Sequence, residues 1–466
     1  MLLEAGAALV RGARTAFPRR REDDLGNSCA SPQFRVATMS VLLAFAGLFL
    51  GAIGSTVTPV VAHAQESSEA AGATVDTTLD AGEEEAVKPK RKMVKWNEYD
   101  GPVSTLRFGY HFMYDFASYK QDDESNQQVR METDNGVRDF RFLLKGRFKT
   151  ERKFTWTFGY MYDGVEDEWR FRQTGIQVAV PELSGQFFVG RTKEGFSLIK
   201  VMAGAFIWGI ERSQTLDAFV PILADGIKYE GYYPRRRILL NLGLYSDVLS
   251  EKEKFSTYDN QFVARLAWQP VLSEETHTVA HVGVMTRNAK ADDGFLREKS
   301  KPGSYLAPNV LDTGKFAADG TDAYGAEAFY RRGSWLFGGE YDWQKDHAKS
   351  GEDPLFHGGD AWVVCLLTGE VRPYNAPGGI FTHVTPKKTV FEGGRGAFEA
   401  VFHFSYADFD DGASFQGGKF WRLSPMLHWY PTAYQRLEFV YGYGNLDRLG
   451  LDGRTQFFQA RILTML

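Results

Sequence analysis

From Val103 onward the chain alternates between apolar and polar positions. In 104–119 Leu106, Phe108, Tyr110, Phe112, Tyr114 and Phe116 fall on one side, and Arg107, His111, Met113 and Asp115 on the other. In 137–149 Phe140, Phe142, Leu144, Gly146 and Phe148 alternate with Arg141, Leu143, Lys145, Arg147 and Lys149. The pattern returns in 395–408, where Phe398, Ala400, Phe402, Phe404 and Tyr406 alternate with Glu399, Val401, His403 and Ser405, and again in 434–443, where Leu437, Phe439, Tyr441 and Tyr443 oppose Arg436 and Glu438. Successive side chains of a strand point to opposite sides of the sheet, so period two predicts strands with one apolar and one charged face. In a secreted sandwich the apolar face packs a core. In a membrane barrel it meets lipid, and the polar face lines an aqueous lumen. Alternation alone admits both.

Three features favour the barrel. The segments run about 10–14 residues, against about 5–6 for soluble strands and about 9–11 for tilted membrane strands. Connections alternate between tight (Thr150–Arg152, Pro181–Ser184, Pro234–Arg236, Arg332–Ser334, Pro431–Ala433) and long (Lys120–Asn135, Lys193–Ala224, Ser246–Tyr258, Asn288–Thr321, His347–Gly359, Asp410–Gly418), which is the outer-membrane layout. Trp156, Trp169, Trp268, Trp335, Trp343, Trp421 and the pair Trp429-Tyr430 sit near strand ends, where interfacial girdles lie. The expected fold is all-β: a 16-stranded antiparallel transmembrane β-barrel, with both termini on the side of the short turns and the third loop folded inward. One stretch, 373–394, is long where a short turn belongs.

The N-terminal region reads differently. Met39–Gly54 is the only long apolar run, short for a spanning helix of about 20 residues. Ala62-His63-Ala64 before Gln65 fits a small-x-small cleavage site, so 1–64 is expected to be an export signal, with 1–38 an over-extended start; an N-terminal anchor helix is the alternative. No Cys stands at the cleavage point to suggest a lipoprotein. Residues 65–100, rich in Glu, Ala, Thr and Lys, are expected to form a disordered periplasmic arm, and 101–466 the barrel.

Composition removes other classes. The 466 residues carry a net charge of −5 and no polybasic tract, so no nucleic-acid partner is indicated. Two Cys exclude a disulfide framework and leave no basis for a Cys-based zinc site. His277, His281 and His403 are isolated on strands. Gly393-Gly394-Arg395-Gly396 lacks the strand–turn–helix setting of a phosphate loop, and His403 with Ser405, two apart on a strand, makes a poor base–nucleophile pair. No enzyme, cofactor or metal is expected.

Cations mark the candidate chemistry. Phe187–Arg212 carries a strand end into the long third connection, with Arg191, Lys193, Lys200 and Arg212 among apolar residues. Strand parity adds Arg107, Arg141, Lys145, Arg147 and Lys149, and one or both of Arg170 and Arg172. An anion entering a narrow pore must exchange part of its hydration shell, and rings of Arg and Lys do this for anion and phosphate pores. Asp115, Asp139, Glu166 and Glu168 are the anions that offset them, and Glu211-Arg212 reads equally well as an ion pair pinning the loop to the wall.

Several motifs, in order over residues 100–466, resemble the phosphate-selective porin family of O and P type outer-membrane channels. They are Phe188-Val189-Gly190-Arg191 before Glu194-Gly195-Phe196-Ser197-Leu198; Glu211-Arg212; Val310-Leu311-Asp312-Thr313-Gly314; Gly339-Glu340-Tyr341; Leu367-Thr368-Gly369-Glu370 with Arg372 and Tyr374; Gly396-Ala397-Phe398-Glu399 with Ser405 and Asp408; and His428-Trp429-Tyr430-Pro431. The resemblance implies a homotrimer in outer-membrane lipid, a third loop that narrows the pore, and inorganic anions as solutes. Departures are visible. The family's double Arg on the second strand is Arg138-Asp139 here, its Leu-Glu step is Ile199-Lys200, and the chain ends in Leu466 where such barrels end in Phe. With Arg138, the expected function is passive passage of small anions, phosphate or polyphosphate. A general diffusion porin or a structural or adhesion barrel is the alternative.

Overall fold

Sixteen antiparallel strands close into a ring in the computed structural model, which describes residues 96–246 and 258–466. They are β1 Thr105–Gln121, β2 Asp134–Arg147, β3 Phe154–Asp163, β4 in two pieces (Glu168–Phe171 and Thr174–Val180), β5 Gly185–Thr192, β6 Ala224–Tyr233, β7 Ile238–Ser246 and β8 Tyr258–Ser273. There follow β9 Thr278–Ala291, β10 Phe316–Arg332, β11 Trp335–Ala348, β12 Leu355–Leu366, β13 Ala397–Asp411, β14 Phe415–Thr432, β15 Gln435–Arg448 and β16 Leu451–Met465. The ring closes where β1 meets β16, with His111 opposite Met465 and Gln121 opposite Thr455. Closure leaves no free sheet edge, which is the condition for strands to lie in lipid.

The period-two reading fixes which way each strand faces. Phe116, Phe142, Phe158, Phe402, Phe404 and Phe439 point outward and are exposed, while Asp115, Asp139, Arg265, Glu327, His403 and Arg461 point inward and are buried. Their burial shows that elements folded into the ring cover them. After a short helix α1 (Asp123–Gln128) in the first loop, loop L3 (193–223) enters the lumen, carrying the helices α2 Leu198–Val201 and α3 Gln214–Phe219. Loop L5 (292–315) also enters: Arg422 of β14 donates to the carbonyls of Pro302 (2.6 Å) and Gly303 (3.2 Å). The 367–396 connection is the third element inside, and it enters from the turn side. Arg265 of β8 donates to Gly379 O at 3.1 Å, and Phe381 packs on Trp208 of L3 with ring centroids 5.8 Å apart. Gly379 takes φ +60° there, a conformation that favours glycine. Inside the ring, therefore, an apolar cluster containing Phe196, Phe206, Trp208, Phe329 and Phe381 packs as a core.

Several expectations need correction. Tyr430 does not join an outer girdle. It sits on the lumen side of β14, next in alternation to Trp429, and its hydroxyl donates to Glu399 at 2.7 Å. β4 also breaks at Arg172-Gln173, leaving pieces shorter than the 10–14 residues expected of a segment. The connection expected to be long at 410–418 shrinks to 412–414, because β13 and β14 pair on to Asp411 and Phe415. The arm expected over 65–100 joins the sheet at its end, where Glu98–Asp100 pairs with Thr105–Arg107, and its Asp100 carboxylate meets Lys149 at 2.7 Å. The export signal expected over 1–64 and residues 65–95 lie outside the described residues, as does 247–257. No described helix is long and apolar enough to cross a membrane.

Candidate functional site

L3 is positioned by donors at a helix start meeting carboxylates on the wall. The first amides of a helix have no partner within it. Those of Leu198 and Ile199 donate to Glu327 of β10 (2.7 Å) and Glu340 of β11 (2.8 Å). Ser197 caps the same helix by accepting from Lys200 N. Thr215 of α3 donates to Asp342 at 2.9 Å, and Glu194 at the loop's start pairs with Arg287 of β9 at 2.8 Å. These contacts hold L3 against β9–β11, with Lys193 and Arg212 near Arg141 of β2.

On that wall the register brings charged groups abreast. His111 lies opposite Arg141, and Arg141 opposite Met161, which lies opposite Arg170. Arg138 reaches the lumen although strand parity sends it outward. The pairing jumps from Met113–Asp139 to Tyr114–Val137, so Arg138 is the extra residue of a β-bulge and turns inward beside Asp139.

The sequence-predicted cations divide into three groups. Arg107 and Lys145 face each other four residues nearer the turn side than His111 and Arg141, with Arg147 exposed beyond them, so these three stand apart from the L3 cluster. A second group meets carboxylates. Arg138 binds Glu211 through two bonds of 2.9 and 3.2 Å, and Arg141 binds Asp139, which also takes His111 at 2.8 Å. Arg170 lies 3.1 Å from Glu168, and Arg191 binds Asp225 through two bonds of 3.0 Å. In the third group hydrogen bonds end on neutral acceptors. Arg172 donates to the Met161 sulfur at 3.6 Å, Lys193 to Met202 O, Lys200 to Val220 O at 2.6 Å, and Arg212 to Ile199 O at 3.3 Å and Met202 O at 3.0 Å. Glu211, not Arg212, pins the loop, binding Arg138 and Arg461.

Arg172, Lys193 and Lys200 are buried, and Lys193 and Arg212 converge on one carbonyl, that of Met202. Burial, and then Arg212, Arg172 and Arg141 nearby, holds the Lys193 ammonium well below the ordinary lysine range. Burial and Arg212 bring Lys200 down to about 7, against the pull of Glu194 and Asp217. Burial likewise lowers Arg212 to about 10. For Glu211 burial acts upward, but Arg138 and Arg461 overcome it and hold the carboxyl at about 2. Asp163, buried at the end of β3 and 3.8 Å from Arg138, and His111 were not singled out in the sequence. Their signal was parity: each shares a strand face with Met161 or Met113.

A closed, lipid-facing ring of sixteen strands with an in-folded loop defines an outer-membrane channel. A model of the family "Phosphate-selective porin O and P" matches residues 106–450, and the chain belongs to that family. A protein of Caulobacter vibrioides, described as uncharacterized, is 35% identical over 259 residues, 53% of this chain; the match spans half of that relative's length. Three solved structures are similar in fold, each with a TM-score of 0.50. They are an anion-selective porin from Comamonas acidovorans (12% identical, 78% of this chain and 100% of that one), the outer-membrane channel DcaP of Acinetobacter baumannii (9%, 79% and 99%) and Salmonella typhi OmpF in complex with daunomycin (10%, 79% and 100%).

Proposed function

We propose that this porin passes small anions, phosphate or polyphosphate among them, by passive diffusion through the constriction between L3 and β1–β4. The observation that carries the reading is the set Arg172, Lys193, Lys200 and Arg212, whose hydrogen bonds end on neutral acceptors. The planar guanidinium of Arg172 matches two oxygens of a phosphate or carboxylate, and Lys200 adds a compact point charge. Arg107, Lys145 and Arg147 continue the cationic surface toward the turn side. The family and the anion-selective Comamonas porin support the same choice of solute. The test is the reversal potential of single channels in a KCl gradient, with phosphate then added to one side. Anion selectivity with phosphate block of the chloride current is expected. Anion preference is also expected to fall as pH rises through about 7, because Lys200 is charged below that value and neutral above it. Cation selectivity would overturn the reading and leave Asp139 and Asp163 as the dominant charges.

The same proposal includes a homotrimer joined through β2–β5. β3 has 10 residues, β4 is split into pieces of 4 and 7, and β5 has 8, whereas β10 has 17 and β14 has 18. A tilted strand needs about 9–11 residues to cross lipid, and β5 and each piece of β4 are shorter than that. Another copy of the chain can cover them. The outward face here carries stacked rings, Trp169 on Phe142 at 6.2 Å and on Tyr160 at 5.4 Å. Light scattering in detergent should give the mass of three chains, and that of one chain for Phe142→Lys/Trp169→Lys. A single-chain mass for the unaltered protein would sink the trimer.

A further inference from the structure

Three arginines grip the tip of L3 by its carbonyls. Arg372 donates to Phe206 O at 3.0 Å, Arg436 of β15 to Ile207 O at 2.9 Å, and Arg461 of β16 to Ile210 O. Each is backed by carboxylate: Glu399 at 2.5 Å from Arg372, Glu438 at 2.6 Å from Arg436, and Asp115 at 2.6 Å from Arg461. All three are about 2% exposed. Their charge is thus already met within the protein, and they do not serve as free cations of the pore. What remains of each guanidinium fork is geometry. A planar group with five donors can hold a carboxylate along one edge and a carbonyl along another, which an ammonium cannot reproduce.

Ile210 precedes Arg212 by two residues, so the position of the tip fixes the position of Arg212 in the constriction. One of the three arginines does not belong to the ring. Arg372 lies on the 367–396 segment, which is itself attached by Tyr374 to His281 of β9 (2.7 Å) and by Ala376 O to Gln269 of β8 (2.6 Å). We infer that Arg372, Arg436 and Arg461 are positioning residues for ion selection, and that Arg372 couples the turn-side segment to the anion constriction. The inference rests on the anion-channel reading. Displacing the segment frees Phe206 O, the tip moves, and Arg212 moves with it.

The experiment uses the full-length porin in planar bilayers. Arg372→Gln combined with Glu399→Gln removes the grip without leaving a buried carboxylate unpaired. Heat-modifiable migration on a gel reports the folded barrel, open-channel current noise reports motion of the tip, and reversal potential reports selectivity. The double variant should run as a folded barrel, with several-fold greater noise and a several-fold lower anion-to-cation permeability ratio. Arg372→Lys should not rescue it. Tyr374→Phe, which alters the segment's attachment to β9 but not its hold on L3, should match the unaltered protein. If the Arg372 pair fails to fold, Arg436→Gln/Glu438→Gln tests the same grip from the wall. A folded variant with unchanged noise and selectivity overturns the inference. If the unaltered channel has no anion preference, the proposed function fails, and the difference in noise still decides whether the arginines hold the tip.

Discussion

Replacing both Lys193 and Arg212 with glutamate is expected to turn an anion-preferring channel into a cation-preferring one. Arg212→Glu changes the local charge from plus one to minus one, and Lys193→Glu adds a second carboxylate at Met202 O, the carbonyl that both native side chains share. At an effective dielectric of about 20, two unit charges about 4 Å apart interact by about 4 kcal/mol, and about 1.4 kcal/mol is a tenfold change in a ratio. Even a fraction of that effect, shared among hydrated ions in transit, outweighs what Arg107, Lys145 and Arg147 retain further along the pore. Arg172 remains but would find carboxylates beside it. The single variants should lie between the two extremes. The measurement is the sign of the reversal potential in a KCl gradient; a double variant that keeps its anion preference would place the selecting charges elsewhere.

The second large effect is expected at Trp208. Its side chain is fully buried inside the ring, with centroids 5.8 Å from Phe329, 6.3 Å from Trp362 and 5.8 Å from Phe381. It joins L3, two wall strands and the turn-side segment. Trp→Ala in a packed core costs about 3–5 kcal/mol. The ring's own ladders do not pass through Trp208, so the loss should fall on the interior elements. Trp208→Ala is therefore expected to fold as a barrel with higher single-channel conductance, frequent transitions between levels and weaker selectivity. Conductance traces and proteolysis of L3 check this. Unchanged conductance with intact protease resistance would show that the neighbouring side chains refill the space.

Much of this architecture was legible because its signal is local. Alternation at period two shows strands without any knowledge of what they pair with, and sixteen were expected and sixteen occur. L3 was legible because Lys193 and Lys200 sit where the alternation stops and apolar residues continue. What escaped is nonlocal. Arg191 looks like a pore cation until Asp225, across the β5–β6 ladder, takes both ends of its guanidinium. Arg138 has the wrong parity until the bulge of which it is the extra residue turns it inward. Glu211-Arg212 reads as one pair along the chain, yet Glu211 binds Arg138 and Arg461 from other strands and Arg212 binds carbonyls. The 367–396 segment stood out by its length alone, and nothing in its sequence says that Phe381 would meet Trp208.

The closing seam between β1 and β16 carries an implication for assembly. Arg461, on the last strand, binds Asp115 on the first and Ile210 O and Glu211 in L3. Until the last strand is laid down, the tip lacks one of its three holds and Glu211 one of its two cations. Shutting the ring and seating the constriction are thus a single event in time. An intermediate with its seam still open would carry a loose loop, and a chain stalled there would leak without selecting.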